Sequence, residues 1–299
     1  MNHGNKKILV TGITGLIGKE LIEPLKNKGF EIYAITIEDP PCNNDVFWIK
    51  GSLFDENFIK NTIKKIKPNY LLNMAWATVG DYLKSDINYN FLIAGINLLK
   101  YFHLFGGKRV IFAGTCFEYD FKESSLSETT PLAPDKTVYT FCKNKLNECA
   151  QYFCKTHGIS YGYGRIFYVY GHNEDKSRLT GMILHNLSNN QTTEIKNANL
   201  IKDYMYSKDI ANAFAEFVDS STEGIVNICS GKPITIGNFA SLIAKKMSKE
   251  NLLILRNEPS TQPKSIIGDN SRMINEICYE PKYSLEQGIN EILKNYQKD

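Results

Sequence analysis

The stretch ILVTGITGLIG, residues 8–18, decides how the rest of the chain is read. Three β-prone residues, Ile8, Leu9 and Val10, run into Thr11, and glycines follow at 12, 15 and 18. This spells a buried strand, a tight turn and the opening of a helix. The glycines answer different needs: one for the turn, one for close approach of a pyrophosphate, one for close packing of helix on strand. The free N–H groups and partial positive charge of a helix start suit phosphates. Three glycines alone are a weak signal, because many tight strand–helix turns use them. Flanked by a strand and a helix near the start of the chain, they point to a dinucleotide site.

Working outward, residues 16–28 are expected to form a helix ended by Gly29, with Pro24 loosening the turn before it. Strands are expected at 31–37, 46–49, 70–75, 109–113 and 160–167, and helices at 56–67, 88–105 and 137–156. Strand and helix alternate, the pattern of an α/β, Rossmann-like doubly wound parallel sheet whose ligands lie at the carboxyl ends of the strands. Past residue 167 the pattern becomes irregular. IVNIC at 225–229 reads as one more buried strand, and Thr235 and Ser284 as N-caps, Ser284 with Gln287 making a capping box. The expected organisation is a dinucleotide-binding domain, residues 1–166 plus about 208–232, and a smaller C-terminal α/β substrate lobe, residues 167–207 and 233–299.

Composition narrows the function. The 299 residues are 42% hydrophobic and 22% charged, with net charge +3 and no basic block, so neither nucleic acid nor an anionic membrane is an expected partner. No apolar run approaches the roughly eighteen residues of a membrane span, and MNHGNKK lacks the apolar core of a signal peptide, so a cytoplasmic protein is expected. The seven cysteines form no C-x-x-C pair and no ligand spacing with the five histidines. Reduced thiols packed as small hydrophobes are expected, and no metal.

Tyr139 and Lys143, four apart on an expected helix, share one face. A free phenol titrates near pH 10, and an ammonium beside it favours the phenolate, which suits the pair to exchange a proton with an alcohol. On their own they read more readily as surface residues of an amphipathic helix, because Y-x-x-x-K often occurs by chance. Thr115, just after the fifth expected strand, lies at the ligand end of the same sheet.

With these residues in place, the chain resembles the extended short-chain dehydrogenase/reductase superfamily, in its nucleotide-sugar epimerase, dehydratase and reductase branch. The resemblance is carried by TGITGLIG (11–18), GTCFEY (114–119), YTFCK (139–143), RIFYVYG (165–171), IKDYMYSKDIANAF (201–214) and GDNSRMINEICYEP (268–281). It implies that Thr115, Tyr139 and Lys143 are the catalytic trio. Thr115 would bond the reacting oxygen, Tyr139 would exchange the proton, and Lys143 would hold the cofactor ribose and tune Tyr139. It further implies cofactor contacts from Gly12, Gly15, Leu16, Ile17 and Gly18 at the pyrophosphate, Ser52 and Leu53 at the adenine, and Ala75 at the nicotinamide ribose. The family's acidic ribose position falls on Thr36 and its common arginine position on Ile37, so neither NAD(H) nor NADP(H) is specified. Glu38 could still reach a ribose, and the missing acid leans to NADP(H).

The same resemblance bears on the reaction. Dehydratases of this branch carry an Asp-Glu pair after the catalytic Thr; here those positions are Cys116 and Phe117, which cannot do carboxylate work. A reductase acting on a nucleotide-linked 4-keto-6-deoxysugar is expected, with a nucleotide-sugar 4-epimerase as the alternative and an inactive NAD(P)-binding redox sensor as a third reading. The substrate side is expected to involve Trp76, Thr78, Cys116, Tyr168 and Lys202. Tyr168 stands where the family has Asn, and Lys202 where it has the Arg that grips the pyrophosphate. Trp76 and Tyr82 either stack on the ligand or pack their own loop, and Cys116 is expected as packing rather than as an acid–base group. A homodimer is expected through the helices at 88–105 and 137–156, with Phe91, Leu98, Phe141 and Phe153 as candidate apolar surface.

Overall fold

The computed structural model describes residues 6–41, 44–123, 125–134 and 137–296. Its first half runs β1 (Lys6–Thr11), a 3-10 turn (Gly18–Leu21), α1 (Ile22–Asn27), β2 (Phe30–Thr36), β3 (Val46–Lys50), α2 (Glu56–Ile66), β4 (Tyr70–Asn73), α3 (Ile87–Leu104), β5 (Arg109–Thr115), a second 3-10 turn (Cys116–Glu118) and α4 (Val138–His157). The rest comprises β6 (Ser160–Ile166), β7 (Tyr168–Tyr170), α5 (Leu179–Ser188), β8 (Thr193–Ile195), β9 (Ile201–Tyr206), α6 (Ser207–Asp219), β10 (Gly224–Ile228), β11 (Pro233–Thr235), α7 (Ile236–Lys246), β12 (Leu253–Leu255), β13 (Ser265–Ile266), α8 (Ser271–Asn275) and α9 (Leu285–Tyr296).

Seven strands form one parallel sheet in the order β10-β6-β5-β4-β1-β2-β3. The order reverses between β1 and β4, which opens a crevice at their carboxyl ends. β1 is buried on both faces: Ile8 and Val10 join one apolar layer with Leu25, Ile210 and Phe214, and Leu9 joins another with Ile59, Leu98 and Leu146. That explains its unbroken apolar run. After β6 the chain builds a second, smaller sheet in which β9 is flanked by β11 and β13 and also pairs with β7. Two buried carboxylates fix these later segments. Asp203 of β9 accepts from the Ser230 N–H (2.9 Å) and hydroxyl (2.6 Å) and from the Gly231 and Gly268 N–H groups. Asp209 of α6 accepts from the Tyr279 hydroxyl at 2.6 Å and from the Lys282 and Tyr283 N–H groups.

Several expectations need correction. Residues 16–28 do not form one helix. Pro24 has no N–H for the Glu20 carbonyl and its ring crowds that turn, so the chain enters as a 3-10 turn and becomes α-helical only at Ile22. β4 ends at Asn73 rather than Ala75, because Met74 and Ala75 bend across Gly12. β5 continues to Thr115, so that residue ends the strand instead of following it. Leu98 is fully buried against the sheet. The exposed large apolar side chains of this helix pair are Ile87, Tyr89, Ile93, Ile96 and Leu104 on α3 and Tyr152 on α4. The caps at Thr235 and Ser284–Gln287 form as expected, and Thr137 caps α4 as well.

The six described cysteines are free thiols, four of them buried; Cys42 lies outside the described residues. Among the described residues, no helix is long and apolar enough to cross a membrane.

Candidate active site

Thr115, Tyr139 and Lys143 meet where β5 ends and α4 begins, and all three are buried. Thr137 caps α4, and the Tyr139 N–H donates to the Leu83 carbonyl at 3.1 Å, tying the helix start to the loop after β4. Tyr139 shares a side-chain hydrogen bond with Thr115. Lys143 Nζ donates to the Ala113 carbonyl of β5 at 2.7 Å and stands 3.9 Å over the Trp76 ring. Trp76 in turn presents its ring to the edge of Tyr139 (6.2 Å), stacks on Phe91 (5.3 Å) and donates Nε1–H to Asn88 Oδ1 at 2.7 Å. Tyr82 packs perpendicular to Tyr139 at 5.2 Å. Both aromatic residues of this loop therefore wall the Tyr139 phenol.

The electrostatics differ from the sequence expectation. Burial pushes the Tyr139 phenol well above its ordinary value, only partly offset by the Thr115 hydrogen bond, and Lys143 is not among the groups that lower it. Burial pulls the Lys143 ammonium down to about 7, against the Glu118 carboxylate, which raises it. Desolvation thus outweighs mutual tuning in this geometry. Tyr139 holds its proton, and Lys143 titrates near neutrality.

The three glycines meet different steric constraints. Gly12 has φ +71°, and a Cβ there would collide with the Met74 and Ala75 backbone. At Gly18 a Cβ would overlap the Gly12 carbonyl oxygen, so close packing demands glycine. Gly15 is exposed, and a Cβ there would meet only the Gly12 oxygen at 3.3 Å, leaving the backbone open to a phosphate. Leu16 reaches toward Gly171, and Ile17 packs on the core beneath. Ala75 N–H donates to Thr11 Oγ1 at 3.3 Å, anchoring the other wall of the crevice. At the end of β2, Thr36 is buried with its hydroxyl accepting from the Glu38 N–H at 3.1 Å, and Ile37 is exposed. Ser52 Oγ accepts from the Phe54 N–H at 3.1 Å, and Leu53 packs inward. An open glycine backbone at the switch point, with a buried lysine whose ammonium has donors beyond its one Ala113 bond, fits a nicotinamide dinucleotide.

On the substrate side, Cys116 is buried among Tyr119, Phe167 and Cys229, and burial pushes its thiol far up, so it packs as a small hydrophobe. Tyr168 lies edge-on to Phe117 at 6.1 Å. Lys202 is buried, with Nζ 5.4 Å over the Tyr168 ring and 3.4 Å from the Pro263 carbonyl, and burial lowers it to about 8. Thr78 sits exposed on the loop after Trp76. His172 Nε2 shares a hydrogen bond with the Tyr206 hydroxyl at 2.9 Å.

One charged residue at the site escaped the sequence reading. Glu118 is fully buried and accepts from the Thr115 N–H (2.9 Å), the Tyr163 hydroxyl (2.7 Å) and Arg165 Nε (2.8 Å). Its signal was present: T-x-x-E at 115–118 is a capping-box pattern, and the structure forms both of its bonds.

Residues 8–229 match the family model described as the NAD dependent epimerase/dehydratase family, and the chain belongs to that family. It is 25% identical over 316 residues to the dTDP-4-dehydro-6-deoxyglucose reductase of Escherichia coli, covering 99% of each chain. It is 24% identical over 236 residues to the dTDP-6-deoxy-L-talose 4-dehydrogenase (NAD(+)) of Aggregatibacter actinomycetemcomitans, covering 76% of this chain and 85% of that one. The UDP-glucose 4-epimerase of Thermotoga maritima, solved with UDP-glucose, superposes with a TM-score of 0.89 at 20% identity, over 98% of this chain and 99% of that one. That likeness establishes the Rossmann-like fold.

Proposed function

We propose that this member of the NAD dependent epimerase/dehydratase family reduces a nucleotide-linked 4-keto-6-deoxysugar to its 4-hydroxy product. The observation that carries the reading is a phenol held protonated by burial beside a hydroxyl and a lysine, with Cys116 and Phe117 following Thr115 where elimination would need carboxylates. A protonated Tyr139 is ready to give a proton, which is what ketone reduction asks of it. The E. coli relative of matching length, a 4-dehydro-6-deoxysugar reductase by name, supports the same direction.

In this reading the Thr115 hydroxyl bonds the ketone oxygen and Tyr139 delivers its proton as that oxygen becomes an alkoxide. Lys143 binds the cofactor ribose and, as an ammonium, stabilises the phenolate left behind. The nicotinamide supplies the hydride. Gly12, Gly15, Leu16, Ile17 and Gly18 take the pyrophosphate, Thr36, Ser52 and Leu53 the adenosine, and Ala75 the nicotinamide ribose. Lys202 meets the substrate's phosphates as a point charge, with Tyr168 and Trp76 beside the sugar. Residues 1–166 with about 208–232 carry the cofactor, and the remainder carries the nucleotide sugar. The neutral Thr36 and Ile37 favour NADPH over NADH.

Incubation with NADPH or NADH and a panel of 4-keto-6-deoxysugar nucleotides tests the reaction. Stoichiometric loss of the nicotinamide band at roughly 340 nm, with the larger kcat/KM for NADPH, is expected. Sugar isomers exchanging without net cofactor oxidation would mean an epimerase, and cofactor binding without turnover a sensor.

A further inference from the structure

Glu118 has no role in the reaction as written above, yet it is the only carboxylate hydrogen-bonded to the trio among the described residues. Its geometry is specific. One oxygen, Oε1, takes both the Thr115 N–H at 2.9 Å and the Tyr163 hydroxyl at 2.7 Å, and Oε2 takes Arg165 Nε at 2.8 Å. The Tyr163 hydroxyl also lies 3.3 Å from the Lys143 backbone carbonyl, so one phenol bridges Glu118 to the helix that carries Lys143. Arg165 pairs in register with Gly114, directly before Thr115. The carboxylate is therefore fixed by β6 and holds the last residue of β5.

We propose that Glu118 is the positioning residue of this site: one buried carboxylate anchors Thr115 by its backbone N–H and, joined through the Tyr163 phenol to the helix of Lys143, brings its negative charge to the side of the site where Lys143 stands. The second half of that role rests on the groups surrounding Lys143. These are the Trp76 ring from the loop after β4, the Ala113 carbonyl of β5, Tyr163 of β6, Tyr139 on its own helix, and Glu118. Of the ionisable groups, Glu118 is the one whose charge raises Lys143. Around Glu118 itself stand Tyr163 and Arg165 of β6, Thr115 of β5, and Cys116 and Tyr119 of its own turn.

The inference deepens the proposed reaction and rests on Lys143 acting there as a cation, but it can be read without substrate. The chain has two tryptophans, and Trp76 lies 3.9 Å from the Lys143 ammonium. In a Trp48→Phe background the emission of Trp76 reports the charge of Lys143, with an expected midpoint near 7. Glu118→Gln keeps an oxygen to accept the Thr115 N–H and loses the charge. Its Trp76 midpoint is expected to fall by about one pH unit, and the alkaline limb of kcat to move with it while KM stays within about threefold. Glu118→Asp keeps the charge and loses reach. Its midpoint is expected to stay in place while kcat drops about tenfold or more as Thr115 slackens. An unshifted midpoint in folded Glu118→Gln, or an unchanged kcat in Glu118→Asp assayed well below its Tm, would overturn the proposal. Should Glu118→Gln not fold, Glu118→Asp carries the test alone, since a purely structural Glu118 would lower Tm and leave kcat intact. A protein inactive on every 4-keto sugar nucleotide whose midpoint still shifted would overturn the reaction and uphold the role of Glu118.

Discussion

At the scale of single residues, the site works by burying groups that water would rather keep charged. Lys143 sits under Trp76 with its ammonium drawn down to about 7. The folded protein therefore binds fewer protons than the unfolded chain between about 7 and 10.5, so stability rises with pH across that window and the cost is complete below it. Lys143→Met is expected to abolish turnover yet raise Tm by a few degrees at pH 6–7, with the gain shrinking toward pH 10; differential scanning calorimetry at both ends measures it. The ammonium is present below about 7 and lost above it, so kcat/KM for reduction is expected to fall as pH rises through that value. A profile flat from pH 6 to 9 would remove Lys143 from the reaction. Neither shift was legible in the sequence. Four-residue spacing shows that Tyr139 and Lys143 share a face, but only packing reveals that Trp76, Tyr82 and the end of β5 bury both.

At the scale of elements, the glycine turn was the most readable part of the chain because each glycine meets a constraint that no other residue satisfies. The structure separates those constraints. Gly18→Ala forces a Cβ onto the Gly12 carbonyl and is expected to cost about 1–3 kcal/mol or more by urea denaturation. Gly15→Ala brings a Cβ to 3.3 Å from the same oxygen, a tight contact short of overlap, so a smaller loss of stability than at Gly18 is expected while the Kd for the cofactor rises about tenfold by titration. Equal effects at the two positions would contradict this division. The helix after the turn was read less well, since its apolar pattern continues through Pro24 and hides the switch from 3-10 to α geometry. Glu118 was missed for a related reason: its capping box closes a three-residue turn rather than a helix, and nothing periodic follows it.

At the scale of the whole molecule, strand alternation made the doubly wound parallel sheet legible but not its strand order, and the later segments depend on Asp203 and Asp209, long-range anchors without a sequence signature. Tyr89, Ile93 and Ile96 leave an apolar stripe on the outside of α3, and we place the expected homodimer there. Ile93→Glu is expected to convert a dimer to a monomer in sedimentation velocity; an unchanged species would move the interface elsewhere. The central claim, that hydride ends on the sugar, has a direct measurement. Reduced cofactor deuterated at the transferable position of the nicotinamide is incubated with a 4-keto-6-deoxysugar nucleotide, and the sugar is read by NMR. The account predicts deuterium at C4, one equivalent per oxidised cofactor, lost with Tyr139→Phe. An epimerised sugar without label and without cofactor oxidation would contradict it.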